Sequence, residues 1–281
     1  MIMADFTTRT YLKLIAALKE GGYSFQTFRN YLTDPGERTV ILRHDVDRAP
    51  ENSLRFARMQ HDIGITGSYY FRIVRSSFNE EIIREIYGMG HEIGYHYEDM
   101  ELARRKAKGE RRKVNGEAEL AALAIESFTK NLAGFRQLIN IDTICMHGTP
   151  LSPIDSRILW KYYDYRDFGI SGEPYFDINW KEVLYLTDTG RQWDGDRFNV
   201  RDRPAVEGSG IRPSNDNHNT FDIIDSVMSG GLPDRIMMTF HPQRWNDNPF
   251  LWVTELLSQR VKNGVKYLLI QSRTVTSGYA H

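Results

Sequence analysis

The chain has 281 residues, 41% of them hydrophobic and 26% charged, so it can bury a sizeable core and is neither a disordered nor a fibrous sequence. Its 36 lysines and arginines against 37 aspartates and glutamates leave a formal net charge of -1, which argues against nucleic acid or an anionic membrane as a partner. Cys145 is the only cysteine, which excludes an internal disulfide framework and a structural zinc site built from cysteines.

Near the start, Leu12, Ile15 and Leu18 recur at helical spacing until Gly21 and Gly22, which predicts a helix within a helical extension over residues 1–38. No basic stretch leads into a long apolar run there, and no segment approaches about eighteen uninterrupted apolar residues, so a soluble, cytoplasmic protein without membrane insertion is expected. "TVILR" then reads as a buried strand. The following "APENSLRFARMQHDIG" reads as a helix, with Pro50 in its first turn and Gly64 as its stop. "GSYYFRI" is a strand, "NEEIIREIYGMG" a helix and "HEIGYH" a third strand, before a long charged helical region from about Asp99 to Lys130. "DTICMH" gives another strand. Residues 150–215 are less regular, though "EVLYLT" within them is a credible strand; "RIMMTF" is the last, and "NPFLWVTELLSQRVKNG" is a helix closed by Gly264. Strands alternating with helices predict a parallel sheet with helical crossovers. The expected fold class is α/β, a distorted (β/α) barrel of about seven parallel strands in a single domain over residues 1–281, with a doubly wound open sheet as the other arrangement.

The chemistry lies in the residues just past each strand. "TVILR" runs into His44, Asp45 and Asp47; "HEIGY" into His96; "TICM" into His147; "EVLYLT" into Asp188; "RIMMTF" into His241. In parallel α/β architecture these ends share one face, where separate loops assemble a site. Each residue alone has an ordinary explanation, an aspartate as a helix cap or a histidine as a hydrogen-bonded core group. His91 lies five residues before His96, so within one strand the two face opposite ways; His91, His61, His218 and His281 are left outside the site. One carboxylate and two imidazoles on a common face form a recipe for a divalent metal with open positions, and a second carboxylate two residues away could serve as a base. The run "ARRKAKGERRK", interleaved with Glu101, Glu110 and Glu117, reads as a solvated helix face.

These segments resemble the polysaccharide deacetylase superfamily, metal-dependent carbohydrate de-N-acetylases. "LRHDVD" is similar to the opening motif of a variant branch, "GMGHEIGYHYED" to the second motif, and "MMTFHPQRW" to the last; "LYLTDTGRQWDG" resembles a segment of the same branch. The likeness runs from about Val40 to Trp245. It implies Asp45 as catalytic base, Asp47 and His96 as metal ligands, His241 as catalytic acid, and Asp188, Arg191 and Trp193 near the substrate, with Asp188 either orienting His241 or binding a sugar hydroxyl. Typical members carry a second metal histidine four residues after the first, where this chain has Met100; His147, in "CMHGTP", is the third ligand the variant branch implies. The arginine-proline-rich third motif is not evident, and "GFRQL" around Arg136 is at most a remnant.

The activity implied is that of a hydrolase with a divalent metal, zinc foremost, removing an acetyl group from an N-acetylated sugar or glycan precursor. Two other readings stand beside it. One is a non-catalytic carbohydrate-binding member of the same fold, favoured by Met100; the other is an iron oxygenase using two histidines and a carboxylate, which the alternating strands and helices disfavour.

Overall fold

The structure is a computed structural model that describes residues 4–148, 152–193 and 218–277. In chain order its elements are α1 (Thr8–Glu20), β1 (Ser24–Gln26), α2 (Phe28–Thr33), β2 (Thr39–Val46), α3 (Pro50–Asp62), β3 (Ser68–Phe71), α4 (Glu80–Gly88), β4 (Glu92–Tyr97), α5 (Asp99–Gly109), α6 (Glu117–Arg136), β5 (Ile144–Met146), α7 (Pro174–Asp177), β6 (Leu184–Thr187), α8 (Thr220–Met228), β7 (Arg235–Phe240) and α9 (Pro249–Ser277). Seven parallel strands form one sheet in the order β5-β4-β3-β2-β7-β6, with β1 beside the first half of β2. The sheet curls into a half-barrel surrounded by helices, in agreement with the distorted (β/α) barrel expected from the strand-helix alternation.

Every residue of β2 is buried, as a central parallel strand covered on both faces requires. Its alternation sends Leu42, His44 and Val46 to one side and Arg43 and Asp45 to the other. The first side packs against an aromatic seam in which His44 stacks on Tyr69 and Phe240 and meets Phe56 edge-on. The second side faces the inside of the half-barrel.

Three elements differ from the sequence expectation. The stretch 1–38 holds a strand as well as helices: β1 is only three residues, too short to show a period. The helical region after Asp99 is two helices, α5 and α6, separated by a turn in which Arg111 and Gly116 take positive φ of 55° and 90°. Gly264 does not end the last helix, which continues to Ser277; an interior glycine costs a helix only about 1 kcal/mol, less than a long run of hydrogen bonds supplies.

His44 illustrates why a histidine at a strand end can belong to the core. Its Nδ1 lies 3.1 Å from the Ser68 carbonyl, which only accepts, so Nδ1 carries the proton and Nε2 accepts from Gln60 Nε2 at 2.9 Å. Burial pushes its imidazole down to about 3, against the Ser68 carbonyl, and burial likewise takes His91 down to about 4. Both are neutral in the folded chain while their unfolded counterparts protonate near pH 6.5, so the stability they contribute is complete above that value and is lost as the pH falls toward 4. Urea unfolding at about pH 4.5 is expected to show an acid-side loss that shrinks by about 2–3 kcal/mol in His44→Gln. An equal loss in the variant would exclude His44 as the source.

Candidate metal centre and active site

Residues paired across a parallel sheet stand side by side on one face. Asp45 of β2 pairs with Tyr70 of β3, and Tyr70 with Gly94 of β4; one step along, His96 of β4 pairs with Cys145 of β5. Asp47, two residues past Asp45, and His147, two past Cys145, therefore reach the same end of the half-barrel as His96. Gly94 makes room within this layer, since a Cβ there would stand 2.3 Å from the Tyr70 ring and 2.9 Å from the Thr143 carbonyl oxygen.

The structure brings Asp47, His96 and His147 together, with one ligand atom from each inside a set whose members all lie within 4.8 Å. Asp47 Oδ1 is 3.3 Å from His147 Nε2 and 3.7 Å from His96 Nε2. The other side of each group is already held. His96 Nδ1 donates to the Cys145 carbonyl at 2.9 Å, which leaves the Nε2 lone pair toward Asp47. His147 Nδ1 lies 3.1 Å from Glu98 Oε2, and Arg72 Nε and Nη2 donate to Glu98 Oε1 at 2.8 and 2.6 Å. Asp47 Oδ2 accepts from Gln243 Nε2 at 3.2 Å, whereas Oδ1 is buried with no hydrogen-bond partner.

Metal-binding histidines characteristically give their second nitrogen to a carbonyl or carboxylate, and a buried carboxylate oxygen without a hydrogen-bond donor has room for an ion or a water. The donor set and its supports thus fit a divalent ion with oxygen and imidazole preferences. The electrostatics agree. Burial works against charge on His147, but Asp47 and then Glu98 outweigh it and lift the imidazole to about 9. Burial and then His147 hold His96 well below its ordinary range. Asp47 lies well below the usual carboxylate range despite burial, because His147, His241 and His96 surround it. Asp47 and Glu98 thus favour positive charge on His147, whereas His96 stays neutral.

A second group, Asp45, His96 and Cys145, also brings its ligand atoms within 4.8 Å, but all three are buried. Arg43 occupies both oxygens of Asp45, Nε to Oδ1 at 2.8 Å and Nη2 to Oδ2 at 2.6 Å. By contrast, the Asp47 and His147 side chains keep 23% and 13% exposure, which leaves this set open to an entering ligand.

On the opposite wall stands His241, at the end of β7. Its Nδ1 lies 2.6 Å from Asp188 Oδ1 and its backbone N–H donates to Asp188 Oδ2 at 2.9 Å. Trp245 Nε1 and Arg244 Nη1 donate to the same carboxylate at 2.8 and 2.7 Å. Burial opposes the charge of Asp188, yet His241 and Arg244 hold its carboxyl below the ordinary range. With Nδ1 fixed in this way, His241 presents Nε2 toward the centre, 3.9 Å from Asp47 Oδ2.

Arg191 and Trp193 lie behind this wall. The Arg191 guanidinium sits 4.6 Å over the Trp252 ring and 5.0 Å over Phe6, and Nη1 donates to the Trp252 carbonyl. Trp193, 2% exposed, donates to Thr220 Oγ1 and meets Phe240 edge-on. Met100 is buried on α5, and Arg136 is committed to the carbonyls of Ile141, Phe168 and Gly169. In the basic run, Arg104 and Arg105 pair with Glu101.

Sequence reasoning passed over Arg43, Glu98, Gln243, Arg244 and Trp245. A signal existed for two of them: Arg43 is two residues before Asp45 and Glu98 two after His96, the strand period that returns a side chain to the same face. Gln243, Arg244 and Trp245 come after β7 in and just beyond a 3-10 turn (Pro242–Arg244), where no period applies.

No protein-family model matches the chain, and no curated protein matches it. Among solved structures it is similar to the crystal structure of a wild-type CE4 family pseudoenzyme from Bacillus anthracis, at 13% sequence identity and a TM-score of 0.36. The match covers 81% of this chain and 62% of that one, so the chain spans about three-fifths of the length of the structure it resembles.

Proposed function

We propose that the chain is a metal-dependent hydrolase that removes the acetyl group from an N-acetylated sugar or glycan precursor. One observation carries this reading: a buried oxygen of Asp47, without a hydrogen-bond partner and 3.3 Å from His147 Nε2, and the Nε2 atoms of His96 and His147 converge at the strand ends, between the Asp45–Arg43 and His241–Asp188 pairs. The likeness of "LRHDVD", "GMGHEIGYHYED" and "MMTFHPQRW" to deacetylase motifs supports an acetamido substrate.

Asp47, His96 and His147 would hold the ion, for which zinc suits the donors; when bound it polarises a carbonyl oxygen and acidifies water. Asp45, its carboxylate fixed by Arg43 and 3.7 Å from His96 Nε2, accepts the proton of the attacking water. His241 presents Nε2 to the leaving nitrogen and delivers the proton without which an amine departs poorly. Asp188 keeps the His241 ring in that orientation, and its two hydrogen bonds with His241 support the orienting role over contact with a sugar hydroxyl. The products are acetate and a free amino sugar.

The test joins elemental analysis of the purified protein with an acetate-release assay on a panel of N-acetylated sugars. Asp45→Asn is expected to keep its metal and lose about 10²–10⁴-fold in turnover. Unchanged turnover removes Asp45 from the base role. Metal retained without acetate release from the unaltered chain favours the non-catalytic, carbohydrate-binding reading, and a chain that retains no metal overturns both the centre and the hydrolase.

A further inference from the structure

We propose that Arg43 decides which of two overlapping ligand sets takes the metal: by occupying Asp45 it denies the ion Asp45, His96 and Cys145 and leaves it Asp47, His96 and His147. This rests on the metal-centre reading above. The two sets share His96, whose Nδ1 is committed to the Cys145 carbonyl, so a single lone pair on Nε2 serves one set or the other. Distance does not choose between them, because Nε2 is 3.7 Å from Asp45 Oδ2 and 3.7 Å from Asp47 Oδ1. Ligand chemistry alone would favour the deeper set, since a thiolate is a strong donor to zinc-like ions.

What differs is the charge already present. Both oxygens of Asp45 receive the Arg43 fork, with both side chains at most 2% exposed. Arg43 is itself fixed: Nη2 donates to Tyr175 Oη at 3.2 Å and the guanidinium lies 5.1 Å from the centre of that ring. A divalent ion on Asp45 would face an immobile like charge across one carboxylate, in an interior that screens it weakly. The Asp47 carboxylate meets no guanidinium: its neighbours include the neutral amide of Gln243 and the His147 imidazole, a cation that can give up its proton to take an ion where Arg43 cannot. The consequence is a division of labour between two aspartates two residues apart. Asp47 serves as ligand, Asp45 stays available for a proton, and Cys145 is kept out of the centre.

Cobalt(II) alone is the probe, because bound thiolate gives a charge-transfer band distinct from the ligand-field bands of nitrogen and oxygen donors. The unaltered chain is expected to show ligand-field bands without the thiolate band, and Cys145→Ser to leave that spectrum as it is. In Arg43→Met the thiolate band appears, and a second change, Cys145→Ser, removes it; Arg43→Lys, which keeps the charge, suppresses it. Should Arg43→Met fail to fold, Arg43→Gln carries the same readout. A thiolate band in the unaltered chain, or ligand-field bands without a thiolate band in both uncharged variants, overturns the proposal. A cobalt-treated chain with no bands at all fails earlier and differently, at the metal centre itself.

Discussion

If the proposed centre binds its ion, a chain carrying Asp47→Ala is expected to emerge from purification without the divalent ion found in the unaltered chain, and to release no acetate from N-acetylated sugars. Asp47 supplies the anionic donor of the proposed ligand set, and its Oδ1 is buried without a hydrogen-bond partner. Removing it should cost more than the ~10–100-fold in affinity that loss of a group merely supporting a ligand brings. The fold should tolerate the change. Asp47 lies just beyond β2 with 23% of its side chain exposed; its loss strands the Gln243 amide and takes from His147 one of two carboxylate partners, Glu98 remaining, so the unfolding free energy should move by about 1–3 kcal/mol. Elemental analysis and a competitive chelator titration give the answer, and an unchanged metal content would remove Asp47 as a ligand.

Asp188→Asn should act on stability and turnover together while leaving the metal in place. Four donors converge on this fully buried carboxylate, from His241 twice, Arg244 and Trp245. An amide of the same size turns an NH₂ toward one of them and leaves the Arg244 guanidinium, only 7% exposed, without its counter-charge. Breaking a buried pair from one side costs about 3–5 kcal/mol, which urea unfolding would read directly. The ring of His241 also loses the acceptor that fixes its tautomer, a change worth up to ~10⁴-fold in turnover where an aspartate–histidine pair handles protons. Metal content serves as the control, since Asp188 is hydrogen-bonded to none of the three proposed ligands among the described residues. A variant as stable and as active as the parent would remove the orienting role.

The sheet was legible in the chain because its strands are short apolar runs that end in charged residues, and those endings point to the face that carries the candidate site. "TVILR", "HEIGY" and "RIMMTF" deliver Asp45, His96 and His241 to one end of β2, β4 and β7. His44 shows the limit of that reasoning: it shares the motif but alternates to the other face, where Gln60, Ser68 and Tyr69 enclose it. Arg191 and Trp193 show another, because a run without periodicity carries no sign of which way its side chains turn, and both enter the packing around Phe6, Phe240 and Trp252. Gly264 was read as a stop from local propensity, which continued helical hydrogen bonding overrides. The supports of the site, Glu98 under His147 and Gln243 under Asp47, are contacts between distant segments, and only the folded chain reveals them.

His147 hangs from β5, a buried rim strand of three residues with three register pairs to β4 and, on its outer side, bonds from Ile144 N to the Gly172 carbonyl and from Met146 N to Glu173 Oε1, whereas the strands bearing Asp45 and His241 share six pairs. Segments with few backbone bonds fray first. Were that rim to open, His147 would swing away while Asp45 and His241 stayed in step, so amide exchange at Ile144–Met146 would bound the residence time of an ion held by the proposed set.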